Sequence, residues 1–161
     1  MSVDTKSTEQ REGGLFTRIV VGTDGSETAA GAVRQAVELA KLTGAQVSIV
    51  SAYQPVSGRR VRDEQAQAPA DVQHEIGPRE DVNLVLEAAA AEARKEGIEV
   101  STHPVEADPA DAILNVAEET KADLIVVGNK GMTGARRYLL GSVPNNVSHH
   151  APCSVMIVRT T

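Results

Sequence analysis

Rings are scarce in this chain. It has no tryptophan, one phenylalanine and two tyrosines in 161 residues, so it lacks the aromatic platforms on which nucleic-acid bases stack. Basic charge is also short: 16 Lys and Arg stand against 22 Asp and Glu, a net charge of −6, and no basic stripe is left for a phosphate backbone. A single cysteine, Cys153, excludes an internal disulfide and suits a reducing compartment. No apolar run reaches membrane length and no charged-apolar-small leader is visible, so a cytoplasmic chain without membrane or nucleic-acid partners is expected. The histidines fall alone or in one pair and the single cysteine has no partner at ligand spacing, so no metal cage is expected. No Ser or Cys sits in a motif that would expose it beside a histidine, so binding is better supported than turnover.

Aliphatic residues are plentiful. Apolar residues make up 41% of the chain, ample for one core of Val, Ile, Leu and Ala, as in helices packed on a parallel sheet. Met1 to Gly14 is polar and without period, so residues 1–14 are expected to be a disordered tail and residues 15–161 one domain.

Strand and helix patterns alternate from there. Arg18 to Gly22 reads as a buried strand, and Glu27 to Thr43 as a helix with an apolar stripe at Ala29, Val33, Ala36, Val37 and Ala40, stopped by Gly44. Val47 to Ala52 is a second strand, and the polar Gln54 to Pro78 segment after it carries Gly58, Arg59, Arg60 and Arg62. Asp81 to Glu96 is helical through Val82, Val85, Leu86, Ala89 and Ala93; Gly97 ends it, and Ile98 to His103 alternates like an edge strand. Asp108 is placed to cap a third helix with Pro109 at its first position and Ile113, Val116 and Ala117 on its buried stripe. Asp123 to Val127, a short helix over Val143 to His150 and a last strand over Ser154 to Val158 complete the pattern.

This alternation predicts an α/β fold, an open five-stranded parallel sheet with helices on both faces. Continuous apolar runs put the first and fourth strands at the centre, giving the order 3-2-1-4-5. A ligand crevice then opens at the carboxyl ends of those two strands, lined by the loop Gly22, Thr23, Asp24 to Ser26 and by Gly128 to Gly141. The fifth strand becomes an apolar edge, which predicts a homodimer through Ser154 to Val158.

The second loop carries the strongest signal. It reads G-N-K-G-M-T-G-A-R-R-Y-L-L-G-S from Gly128 to Ser142, with glycines that let the backbone approach a ligand. The N–H groups of Ser142 and Val143 open a helix, a place that prefers an anion, although a glycine-spaced loop also serves as a plain flexible turn. It lacks the Lys-Ser or Lys-Thr of the common phosphate loop, and the first strand is followed by G-T-D-G-S rather than the dinucleotide fingerprint. Asp24 could accept hydrogen bonds from a ribose or an adenine amino group, or could serve as a turn and helix-start carboxylate. Ser26 reads as an N-cap. Lys130, Arg136 and Arg137 suit phosphate oxygens, or simply solvate the loop. His149 and His150 suit the closing turn of a helix, and Cys153 a core position.

Two motifs resemble the universal stress protein family: V-V-G-T-D-G-S-E-T-A near the start, and G-N-K-G, nine residues, then G-S-V near the end. The likeness runs from Arg18 to Arg159, and the spacing Gly128, Gly131, Gly141, Ser142 is that of the nucleotide-binding branch. It implies the order 3-2-1-4-5 and a homodimer with ATP in the crevice, Asp24 on the adenosine side, and Gly128, Gly131, Gly141 and Ser142 around the phosphates. Val127 and Val143 match apolar positions beside the nucleotide. The sequence departs from the family at Ala52, where members often carry a bulkier aliphatic against adenine, and at Asn129, where Ser or Thr is frequent. The phrases A-D-L-I-V-V-G-N-K-G and L-L-G-S-V-P-N-N-V-S look most like actinobacterial single-domain members, some of which bind cyclic AMP. The ligand implied is therefore ATP, with or without Mg, or cyclic AMP, in a stress-response sensor. An ATP-activating enzyme of the adenine nucleotide α-hydrolase type is the rival.

Overall fold

The computed structural model describes residues 14–55, 77–130 and 140–160. The expected tail up to residue 13, residues 56–76 of the polar segment, and Gly131, Arg136 and Arg137 lie outside the described residues.

Five parallel strands form one sheet: β1 (Arg18–Gly22), β2 (Gln46–Tyr53), β3 (Val100–Glu106), β4 (Leu124–Gly128) and β5 (Ser154–Val158), in the order β3-β2-β1-β4-β5. Four helices, counted among the described residues, cover it: α1 (Glu27–Thr43), α2 (Pro78–Lys95), α3 (Pro109–Glu119) and α4 (Ser142–His150). The expected order and class are observed.

Side-chain alternation splits the core into two layers. Ile19, Val21, Val47, Ile49, Leu124 and Val126 point toward α1 and α2, where Ala32, Val33, Ala36, Val37, Leu86, Ala90 and Ala93 meet them. Val20, Val50, Ile125 and Val127 point the other way, against Ile113, Val116, Ala117 and Val147 of α3 and α4. Burial on both faces explains the unbroken apolar runs of β1 and β4.

Local chemistry sets the element ends. The Ser26 side chain accepts the Ala29 N–H and caps α1, and Gly44 closes it in the left-handed conformation with its N–H on the Ala40 carbonyl. Helix α2 starts at Pro78 rather than Asp81, because a proline ring is pre-set for a first helical position and Glu80 and Asp81 complement the positive helix end. Gly97 and Ile98 are spent closing α2, with the Ile98 N–H on the Ala93 carbonyl, so β3 begins two residues later than its alternation suggests. At the sheet end remote from the crevice, Asp123 joins the starts of β1 and β4: its Oδ2 accepts Thr17 N–H at 2.9 Å and Thr17 Oγ–H at 2.8 Å, and its Oδ1 accepts Arg18 N–H at 3.1 Å.

Both edge strands have a readable orientation. Val47 N–H donates to the Glu99 carbonyl and Ala107 N–H to the Tyr53 carbonyl, so odd-numbered residues of β3 bond to β2 and Pro104 turns its nitrogen outward. Asn129 N–H donates to the Val158 carbonyl, so the even-numbered residues of β5 face β4 and Val155 and Ile157 face outward.

Candidate functional site

The strand order reverses between β1 and β4, and a crevice of about 240 Å³ opens there at the carboxyl ends of the strands. Gly22, Thr23 and Asp24 line one side, Val127, Gly128, Lys130, Gly141, Ser142 and Val143 the other, and Ala52 the end of β2. Two sequence-distant loops meet in one groove, and Asp24 and Ser142 share it.

Helix α4 supplies the anion-seeking side. Gly141 is its N-cap, so Ser142, Val143 and Pro144 occupy the first turn. Asn145 N–H already bonds the Gly141 carbonyl at 3.1 Å, and Pro144 has no N–H, which leaves the Ser142 and Val143 N–H groups without an acceptor among the described residues. These are the donors that the sequence points to.

Opposite them, Asp24 opens the turn into α1. Its Oδ1 accepts Ser26 N–H at 2.9 Å and the Ser26 hydroxyl at 2.5 Å. The turn reading of this carboxylate is observed through Oδ1, and Oδ2 is without a partner among the described residues. Gly25 makes the turn possible at φ +80°, a value that L side chains rarely adopt, and a Cβ there would sit 2.9 Å from Val85 Cγ2.

The floor is apolar and main-chain. Val50, Val127, Pro109 and Ile113 line it. Because the Val50 carbonyl accepts Thr23 N–H, even-numbered residues of β2 face β1, and the polar groups of Ala52 face the space beyond the end of β1. The small side chain at Ala52 thus leaves room beside a backbone N–H and C=O.

Pro109, Ile113, Ala29 and Ser51 also line the crevice without having been singled out as site residues. Ala29 belongs to the α1 stripe by spacing, yet it is only partly buried and Ala32 takes its expected core place. Pro109 and Ile113 were legible only as a helix start and a core stripe. Asp108 precedes Pro109 as expected, but its carboxylate accepts the Gln54 side-chain N–H at 2.6 Å instead of capping its own helix. His150 sits in the last turn of α4 with Nδ1 2.9 Å from the Asn146 carbonyl. Cys153 is partly buried rather than in the core; burial pushes its thiol above the ordinary range, aided by the Asp123 carboxylate.

A doubly wound sheet with an anion-seeking helix start and an apolar floor at its switch point defines the class as an α/β small-ligand fold. The sequence profile described as the universal stress protein family matches residues 15–159, and the chain belongs to that family. It is similar to Universal stress protein Rv1636 of Mycobacterium tuberculosis, 38% identical over 150 residues that cover 91% of this chain and 98% of the relative. Among solved structures, it resembles a universal stress protein in complex with cAMP at TM-score 0.67 and 33% identity, covering 91% of this chain and 98% of that one. It also resembles the universal stress protein from Archaeoglobus fulgidus in complex with dAMP, at TM-score 0.62 and 28% identity, covering 89% and 98%.

Proposed function

We propose that the crevice binds an adenine nucleotide and that the protein is a sensing or binding module in the stress response. The observation that carries this reading is that the Ser142 and Val143 N–H groups, and Oδ2 of Asp24 in the same crevice, have no partner among the described residues. Such a pair suits one phosphate group, with the ribose toward Asp24 and the base over Val50, Ala52 and Ile113. The neighbours solved with cAMP and dAMP, each with a single phosphate, support that size. Cyclic AMP is therefore the favoured ligand. ATP, with or without Mg, is the second reading; it would draw on Lys130, Gly131 and Arg136, of which Lys130 lines the crevice.

Equilibrium titration with cyclic AMP and ATP side by side, with cyclic GMP and GTP as controls, is expected to give saturable binding confined to the adenine ligands. Absence of binding to both adenine ligands removes the reading. Release of AMP and pyrophosphate from ATP would replace it with the α-hydrolase-type enzyme.

Among the described residues β5 is an open edge, which supports a homodimer formed by strand pairing. Sedimentation is expected to show twice the chain mass for the wild type and a monomer for Ile157→Pro, which removes an outward N–H and leaves the bonds to β4 intact. A dimeric Ile157→Pro would move the interface elsewhere.

A further inference from the structure

Asn129, the first residue past β4, is not among the residues lining the crevice, yet it makes four bonds that converge on the site's frame. Its N–H donates to the Val158 carbonyl at 2.8 Å, and its own carbonyl accepts Gly141 N–H at 3.0 Å. Its side-chain Oδ1 accepts Thr160 N–H at 2.9 Å and Thr160 Oγ–H at 3.1 Å. A backbone N–H can only donate, so the atom facing Thr160 is the amide oxygen and the orientation of the side chain is fixed. Thr160 is itself held: a Cβ on Gly31 would lie 3.1 Å from its methyl and one on Gly128 3.7 Å, so it sits against the backbones of α1 and the end of β4.

We infer that Asn129 is a positioning residue of the ligand site and that Thr160 is its anchor. The inference rests on the nucleotide reading above. By taking Gly141 N–H onto its carbonyl, Asn129 fixes the start of α4 relative to β4, which aims the next two N–H groups into the groove. The side-chain bonds to Thr160 keep that carbonyl in place. The segment after β5 thereby reaches the phosphate side of the crevice without touching a ligand.

The test is a double-mutant cycle read by cyclic AMP and ATP titration, with ligand-free amide exchange at Gly141 as a second readout. Asn129→Ala is expected to weaken binding about tenfold and Thr160→Val about threefold, each with an unchanged melting profile. The double variant is expected to bind no more weakly than Asn129→Ala, because the valine removes only a bond whose acceptor is already gone. Gly141 amide exchange is expected to quicken in Asn129→Ala. Unchanged affinity in Asn129→Ala, or losses that add, would overturn the inference. A wild type that binds neither nucleotide sinks the functional reading, and unchanged Gly141 exchange in Asn129→Ala then overturns the positioning role independently.

Discussion

Gly141→Val is expected to bind adenine nucleotide roughly a hundredfold more weakly than the wild type while keeping its fold. Gly141 has φ −60° and ψ 164°, a conformation open to any L residue, so the backbone itself does not require glycine. A Cβ would meet the Asn129 carbonyl oxygen at 3.5 Å and both Lys130 Cα and Pro144 Cδ at 3.6 Å, which is ordinary contact. Gly141→Ala is therefore the control and should cost little. Valine adds two γ carbons to a Cβ already in contact on these sides, at a residue that lines the crevice together with Ser142 and Val143. Titration of the two variants decides the point: equal affinities would show that the N-cap does not face the ligand.

Gly22→Ala is expected to lose about 1–3 kcal/mol of stability and to weaken ligand binding at the same time. Its Cβ would stand 2.5 Å from Ile113 Cδ1 and 3.0 Å from Cγ1, and Ile113 is only 4% exposed. Both residues line the crevice, so the isoleucine cannot yield without changing the floor. Ile113→Val deletes the colliding Cδ1; alone it should cost about 0.5–1.5 kcal/mol, yet in the Gly22→Ala chain it should restore part of both stability and affinity. Denaturant unfolding and cyclic AMP titration of the four chains measure this. Single losses that simply add would disprove the contact.

The frame was legible because its signals are local. Continuous apolar runs marked β1 and β4, and Ser26, Gly44 and Pro109 marked helix ends through preferences that act within one turn. The grouping of Asp24 with Ser142 followed from strand order, since topology alone decides which loops share a switch point. What escaped was tertiary. Nothing beside Ile113 says that Gly22 leaves space for it, and nothing in G-N-K-G says that the asparagine bonds Thr160 just past the end of the neighbouring strand. Asp108 carries every mark of a capping side chain, but a closer donor, Gln54 from the end of β2, takes its oxygen.

The outward nitrogen of Pro104 bears on how copies of this chain can assemble. A sheet with two open sides can in principle grow without end, each molecule adding to the next as in a filament. Here β3 presents a row of donors broken by a proline, while β5 presents Val155 and Ile157 unbroken. Under the β5 pairing proposed above, the break in β3 leaves one flank of the described residues suited to joining, an arrangement that favours a closed pair over a filament.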